Sequence, residues 1–240
     1  MDFEHRNDLQ KLLRFESSAM DAGKEVSLED YVSRMKDGQK DIFYAFGANR
    51  SVIENAPYLE AFKSRGLEVL FLYEPIDTFV LTNLGEFESK KFESIDNANL
   101  ELPEAPQAEG ESLCQEDLKS LCEWIKDKLG DDKIESVEAG TRLTESPAAA
   151  LNADSMDPSM RRLMKMMNPD SPLPTAKVKF EINPRSALIK NLNELRGKDD
   201  KLATLVLEQL FDDSLLSAGL LENPQSMSKR MNEILARVKA

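Results

Sequence analysis

DIFYAFGANRSVIENAPYLEAFKSRGLEVLFLYEPIDTFVLTNLGEFESKKFESI, residues 41–95, alternates two kinds of segment. DIFYAFG (41–47) and LEVLFLY (67–73) are short aromatic and aliphatic runs of strand length, and KKFESI (90–95) suggests a third strand. Between the first two, SVIENAPYLEAFKSRG places Val52, Leu59 and Phe62 at roughly helical spacing before Gly66, a natural helix stop. Between the second and third, Pro75 marks a helix start and Ile76, Val80 and Leu84 follow four apart. The order is β-α-β-α-β. Strands this continuously apolar need both faces covered, which predicts a small, largely parallel sheet with helices on either side, a three-layer α/β unit.

Upstream, Asp8 to Phe15 has a helical look, and SLEDYVSRM offers Ser27 as an N-cap with Asp30 three residues on, a capping box with Asp in the usual Glu position. The unit spans about residues 1–100. It is followed at 101–113 by a stretch rich in glutamate and proline with little to bury, which reads as an acidic linker.

The second unit, residues 114–240, opens with the helix CQEDLKSLCEWIKDKLG, whose Leu118, Leu121, Cys122, Ile125 and Leu129 share one stripe, with Trp124 off its centre. IESVEA and PAAALNA are candidate strands, and KVKFEI (177–182) alternates Val178, Phe180 and Ile182 as a half-exposed strand would. Three helical segments close the chain, near 185–195, 199–217 and 224–238. In the second of these, Leu202, Leu205, Val206, Leu210, Phe211 and Leu215 form an apolar arc that Leu207 and Leu216 widen beyond one contact. In the third, Asn223 caps, Pro224 takes the first helical position, and Met227, Met231, Ile234, Leu235 and Val238 form a face. Such faces suit a partner helix pair, most simply from a second copy, with packing inside the domain as the alternative. The overall class expected is α/β (α+β over the whole chain), ending in a helical bundle.

Composition excludes several activities. The chain of 240 residues carries 31% charged and 41% hydrophobic positions and a formal charge of −13, so it lacks the basic footprint of a nucleic-acid binder. Residues 1–113 hold 12 Lys/Arg against 23 Asp/Glu and residues 114–240 hold 19 against 21, so −11 of that charge lies in the first unit and linker. No apolar run approaches the roughly 18 residues of a membrane span, and MDFEHRNDLQ lacks the pattern of a signal peptide. Cys114 and Cys122 form neither a disulfide framework nor a C-x-x-C pair, so a reducing, cytoplasmic setting is expected without membrane association. With His5 as the one histidine, and neither G-x-G-x-x-G nor G-x-x-x-x-G-K-[ST] present, no metal, triad or nucleotide cradle is expected, and no catalytic residue is assigned.

One cluster stands out. Five of the ten methionines lie within 156–167, and Met156, Met160, Leu163, Met164 and Met167 fall on one helical face. Asp154 or Ser155 can cap it, and NPDSPLPT stops it. Two readings fit: a core helix filling irregular space, or a surface patch whose pliable thioethers adapt to varied apolar partners.

LLRFESS (12–18), SLEDYVSRMKDGQKDIFYAFG (27–47), APYLEAFKSRGLEVLFLYEPIDTFVLTNLGEFESKKFESI (56–95) and KFEINPRSALIKNL (179–192) closely resemble the ninety-kilodalton heat-shock chaperones, in their bacterial, HtpG-type form. The resemblance implies a fragment: residues 1–100 as the end of the middle domain, and residues from 114 as the C-terminal dimerisation and client-binding domain. The nucleotide-binding domain has no counterpart, so the resemblance implies no ATPase activity or cofactor for this stretch, with ATP and magnesium expected for a full-length protein. It implies that Met156, Met160, Leu163, Met164 and Met167 face non-native client proteins. Trp124 is either an adjacent aromatic anchor or a packing residue. The last two helices are implied to form an intermolecular bundle in a homodimer. The runner-up is a purely structural dimerisation module with the methionine helix buried and client sites elsewhere.

Overall fold

Three parallel strands form the middle of the first unit. The computed structural model describes residues 6–103, 110–140, 142–153, 164, 177–221 and 223–237. Two compact units divide them, one holding residues 6–103 and 164 and one built from 110–153 and 177–237. In the first, β3 (Ile42–Phe46) pairs in parallel with β4 (Leu70–Leu72) and with β6 (Lys90–Ser94), Tyr44 lying opposite Leu70 and Ile42 opposite Phe92. The full sheet runs β2-β1-β4-β3-β6-β5, where β1 is Phe15–Ser17, β2 Glu25–Val26 and β5 Glu86–Phe87. The outer pairs β1/β2, β1/β4 and β5/β6 are antiparallel, so the sheet is mixed, with only its central strands parallel.

Alternate residues of the central strands go to opposite faces. Ile42, Tyr44, Leu70 and Leu72 join Leu28 and Tyr31 of α2 (Leu28–Ser33) and Leu81 of α5 (Pro75–Leu84) in one core. Phe43 turns the other way and meets Phe62 of α4 (Pro57–Arg65) edge-on, with centroids 4.9 Å apart. Both faces are therefore covered. Tyr31 ties helix to sheet: its hydroxyl donates to the Glu68 carbonyl and accepts from the Phe43 N–H. The Ser27 capping box is formed, with Ser27 Oγ accepting from the Asp30 N–H and the Asp30 carboxylate accepting from the Ser27 N–H.

Three local expectations change, and one turn is new. The segment from Asp8 to Phe15 is not one helix: α1 is Arg6–Gln10, and Phe15 belongs to β1. The segment 51–66 is two helices, α3 (Arg50–Glu54) and α4, because the residue before Pro57 is pushed to extended backbone and Ala56 sits at φ −72°, ψ 134°. Val52 is accordingly exposed. On α5 the buried positions are Thr78 and Leu81, while Ile76 is 55% exposed. The β5–β6 hairpin turns through Glu88 and Ser89, both at positive φ, without the Asn-Gly or Asp-Gly pair that announces such a turn.

In the second unit β9 (Val178–Ile182) is central, parallel to β7 (Ile134–Ala139) and antiparallel to β8 (Ala148–Asn152). One face packs Val178, Phe180 and Ile182 against Leu121 and Ile125 of α6 (Gln115–Leu129), Ile189 of α7 (Ala187–Lys198), and Leu207 and Phe211 of α8 (Asp200–Ser217). Phe180 meets Phe211 edge-on at 5.3 Å. This sheet is not half-exposed as its alternation suggested: Ala149 and Leu151, on the other face, are buried, and so is Glu181. Arg142 supplies Glu181 with a backbone N–H at 3.1 Å and a guanidinium at 3.7 Å. A Cβ at Gly140 would fall inside the Glu181 carboxylate, so a side chain there must displace it. The last helix, α9, is Pro224–Arg237.

Candidate functional site

The last helix is amphipathic, yet it contains no buried residue. Asn223 caps it, its side-chain oxygen accepting from the Ser226 N–H and its carbonyl from the Ser226 hydroxyl. Met227 and Ile234 are half-buried, Met231 is 37% exposed and Leu235 59% exposed. On α8, Leu210 and Phe211 are sequestered in the protomer's own core, along with Leu207, because they face β9 and α7. These two therefore brace α8 from behind and do not present apolar surface. Leu202, Leu205, Val206 and Leu215 are half-buried, and Leu216 is 54% exposed. Val238 lies outside the described residues.

Between the two helices sits a charged joint that apolar periodicity could not disclose. Arg230 of α9 donates from Nε to Glu208 Oε2 at 2.9 Å and from Nη1 to Asp212 Oδ2 at 2.6 Å. Beside it, Gln209 Nε2 donates to Asp213 Oδ1 at 3.0 Å. Burial raises the Asp213 carboxyl above the ordinary aspartate range, against the lowering effect of the Gln209 bond. The available signal was the i, i+4 pair of acids on α8, Glu208 and Asp212, with an arginine on the helix that follows.

Of the methionine-helix residues, Met164 is described and is helical and 40% exposed. Met156, Met160, Leu163 and Met167 lie outside the described residues. Trp124 is half-buried against the core of the second unit. Its indole N–H donates to Asp200 Oδ1 at 3.0 Å, and Lys128 Nζ lies 5.9 Å from its ring centroid while pairing with Asp200 Oδ2 at 2.7 Å. Those Lys128 and Trp124 bonds hold the Asp200 carboxyl below its ordinary range. Trp124 thus clips α6 to the start of α8.

Cys114 caps α6, its Sγ accepting from the Asp117 N–H, and Cys122 is half-buried; both thiols are free. Among the described residues, no group of three or more His, Cys, Asp or Glu side chains is arranged to hold a metal ion, and no helix is long and apolar enough to cross a membrane.

Residues 1–239 match the family model described as Hsp90 protein. The chain belongs to the Hsp90 family. Among its relatives, the chaperone protein HtpG of Desulfitobacterium hafniense is 42% identical over 98% of this chain and 38% of the relative. HtpG of Desulfotalea psychrophila is 38% identical over 98% and 39%, respectively. The mitochondrial heat shock protein 75 kDa of Rattus norvegicus is 36% identical over 97% and 34%. This Hsp90-family chain therefore spans less than two-fifths of the length of these relatives.

Proposed function

We propose that this chain is the dimerisation and client-binding portion of an ATP-dependent molecular chaperone of the cytoplasm. Residues 1–100 are the end of its middle domain, 101–113 an acidic linker and 114–240 its C-terminal domain. The observation that carries the reading is α9: Met227, Met231, Ile234 and Leu235 share one side of a helix that buries nothing completely within its own chain. Burying apolar surface stabilises by about 25 cal/mol per Å², so a second copy offering the same side gains what the single chain leaves in water. Leu216 extends that surface at the end of α8. ATP and magnesium act elsewhere in the full-length protein, and this portion holds two protomers together while they engage non-native chains.

The client surface is assigned to the segment that carries Met156, Met160, Leu163, Met164 and Met167, supported by the exposure of Met164. Thioether side chains repack at small cost against varied apolar segments, which suits binding without sequence specificity. Trp124 takes the packing role in this reading, supported by its indole N–H bond to Asp200 of α8 and its contact with the core of the second unit. Replacing Met160, Leu163 and Met164 with serine should weaken capture of an unfolded client and leave the dimer intact. Unchanged client affinity would show that the client surface is elsewhere and favour a purely structural dimerisation module.

A further inference from the structure

We infer that Arg230 is the positioning residue that sets the rotation and register of the C-terminal helix for self-association, by forking across Glu208 and Asp212. The inference rests on the dimerisation reading and identifies what aims the surface.

Apolar contact alone specifies the rotation of a helix weakly when none of its side chains is fully buried, and α9 has none. The arginine supplies the missing direction. Its side chain is 16% exposed and its two acceptors lie one helical turn apart on α8, so contact with both fixes position along α8 as well as angle about the α9 axis. At about 100° per residue, Ile234 lies about 40° from Arg230 around α9, Met227 about 60°, Met231 about 100° and Leu235 about 140°, all in the same sense. Exposure follows that order: Ile234 and Met227 are half-buried, Met231 is 37% and Leu235 59% exposed. With Arg230 held against α8, the apolar side chains are turned progressively outward to one side. A rotation of one residue would carry Met231 toward α8 and spread the face.

The acids need the arginine equally. Glu208, Asp212 and Asp213 lie within six residues, and Asp212 is 14% exposed, so without Arg230 the joint holds uncompensated like charges where the helices meet. A lysine keeps the charge but reaches one carboxylate at a time.

Sedimentation equilibrium of the full chain tests this with three variants: Arg230→Met, Arg230→Lys, and Arg230→Asp combined with Asp212→Arg. The expected result is a dimer dissociation constant raised roughly thirtyfold by Arg230→Met, raised less by Arg230→Lys, and brought back to within roughly fivefold of the unaltered chain by the exchanged pair. Trp124 fluorescence should be unchanged throughout, which separates loss of aim from loss of fold. If Arg230→Met perturbs that fluorescence, the lysine and exchanged-pair variants decide the matter. A dimer whose constant moves less than twofold in Arg230→Met overturns the inference, and so does failure of the exchanged pair to restore it. An unaltered chain that stays at 27.0 kDa at every concentration overturns the dimerisation reading along with it.

Discussion

Replacing Arg50 with methionine should loosen the first unit without disturbing the second. Arg50 lies at the start of α3 and reaches back to the β1 ribbon, donating to Glu16 Oε2 at 2.9 Å, Glu54 Oε1 at 2.7 Å and the Met20 carbonyl at 2.6 Å. Its guanidinium carbon lies 5.2 Å from the Phe71 ring centroid, and its side chain is 18% exposed. The Glu54 contact is within one helix and half-open to water, so it contributes about 0.5 kcal/mol. The Glu16 bond is charge-assisted and mostly enclosed, worth about 1–2 kcal/mol, and the abandoned Met20 carbonyl costs about 1 kcal/mol. Methionine keeps the aliphatic contact with Phe71 but loses the cation–π attraction, about 0.5 kcal/mol. The expected net loss is about 3 kcal/mol, which for a unit of this size lowers the unfolding midpoint by roughly 12 °C or more. Arg50 also holds the Glu16 carboxyl below the usual range through its hydrogen bond. That contribution is present above the unfolded-state pKa of Glu16 and is lost as pH falls through the folded value, so the gap between variant and parent should narrow in acid. Hydrogen exchange at Val69, whose N–H is held by Ser18 Oγ, and at Gly47, held by the Leu72 carbonyl, reads the first unit. The fluorescence of Trp124, the single tryptophan, reads the second. A change below about 0.5 kcal/mol at Val69 and Gly47, within the range of ordinary surface substitutions, would refute the role given to Arg50.

Other outcomes follow from the second unit. Asp213 is costly to ionise in the folded chain, so its charge destabilises as pH rises through the raised folded value; Asp213→Asn should raise the thermal midpoint at neutral pH, with the difference vanishing below the ordinary aspartate pKa. A gain that persists unchanged in acid would contradict the burial argument. Gly140→Ala should cost about 1–3 kcal/mol in chemical denaturation, because the new methyl group must displace the buried Glu181 carboxylate. The additional replacement Glu181→Ala should recover part of that loss if the clash is its cause.

Much of the architecture was legible where burial writes a period into the sequence. Strands β3 and β4 announced themselves as continuous apolar runs because both their faces are covered, and the apolar stripes of α6, α8 and α9 marked those helices. The edges were not legible. Strands β1, β2 and β5 are two or three residues long, too short to show alternation, and the β5 turn uses Glu88 and Ser89 in place of glycine. A backbone effect at Pro57 divided what apolar spacing joined. At the candidate surfaces, periodicity identified apolar residues but could not say which neighbour would claim them. Phe211 and Leu235 both read as interface, yet the first is locked against Phe180 and the second stands in water. Arg230 was invisible to a reading by hydrophobicity, because its meaning depends on two acids on another helix.

Self-association through α8 and α9 is the central claim, and sedimentation equilibrium on the paired substitution Met231→Glu and Leu235→Glu tests it most directly. Both side chains are exposed in the single chain, so the change should leave the folded protomer intact. The account predicts a parent at twice 27.0 kDa and a variant at 27.0 kDa over the same concentrations. A parent that never exceeds 27.0 kDa, or a variant that remains a dimer, would contradict it.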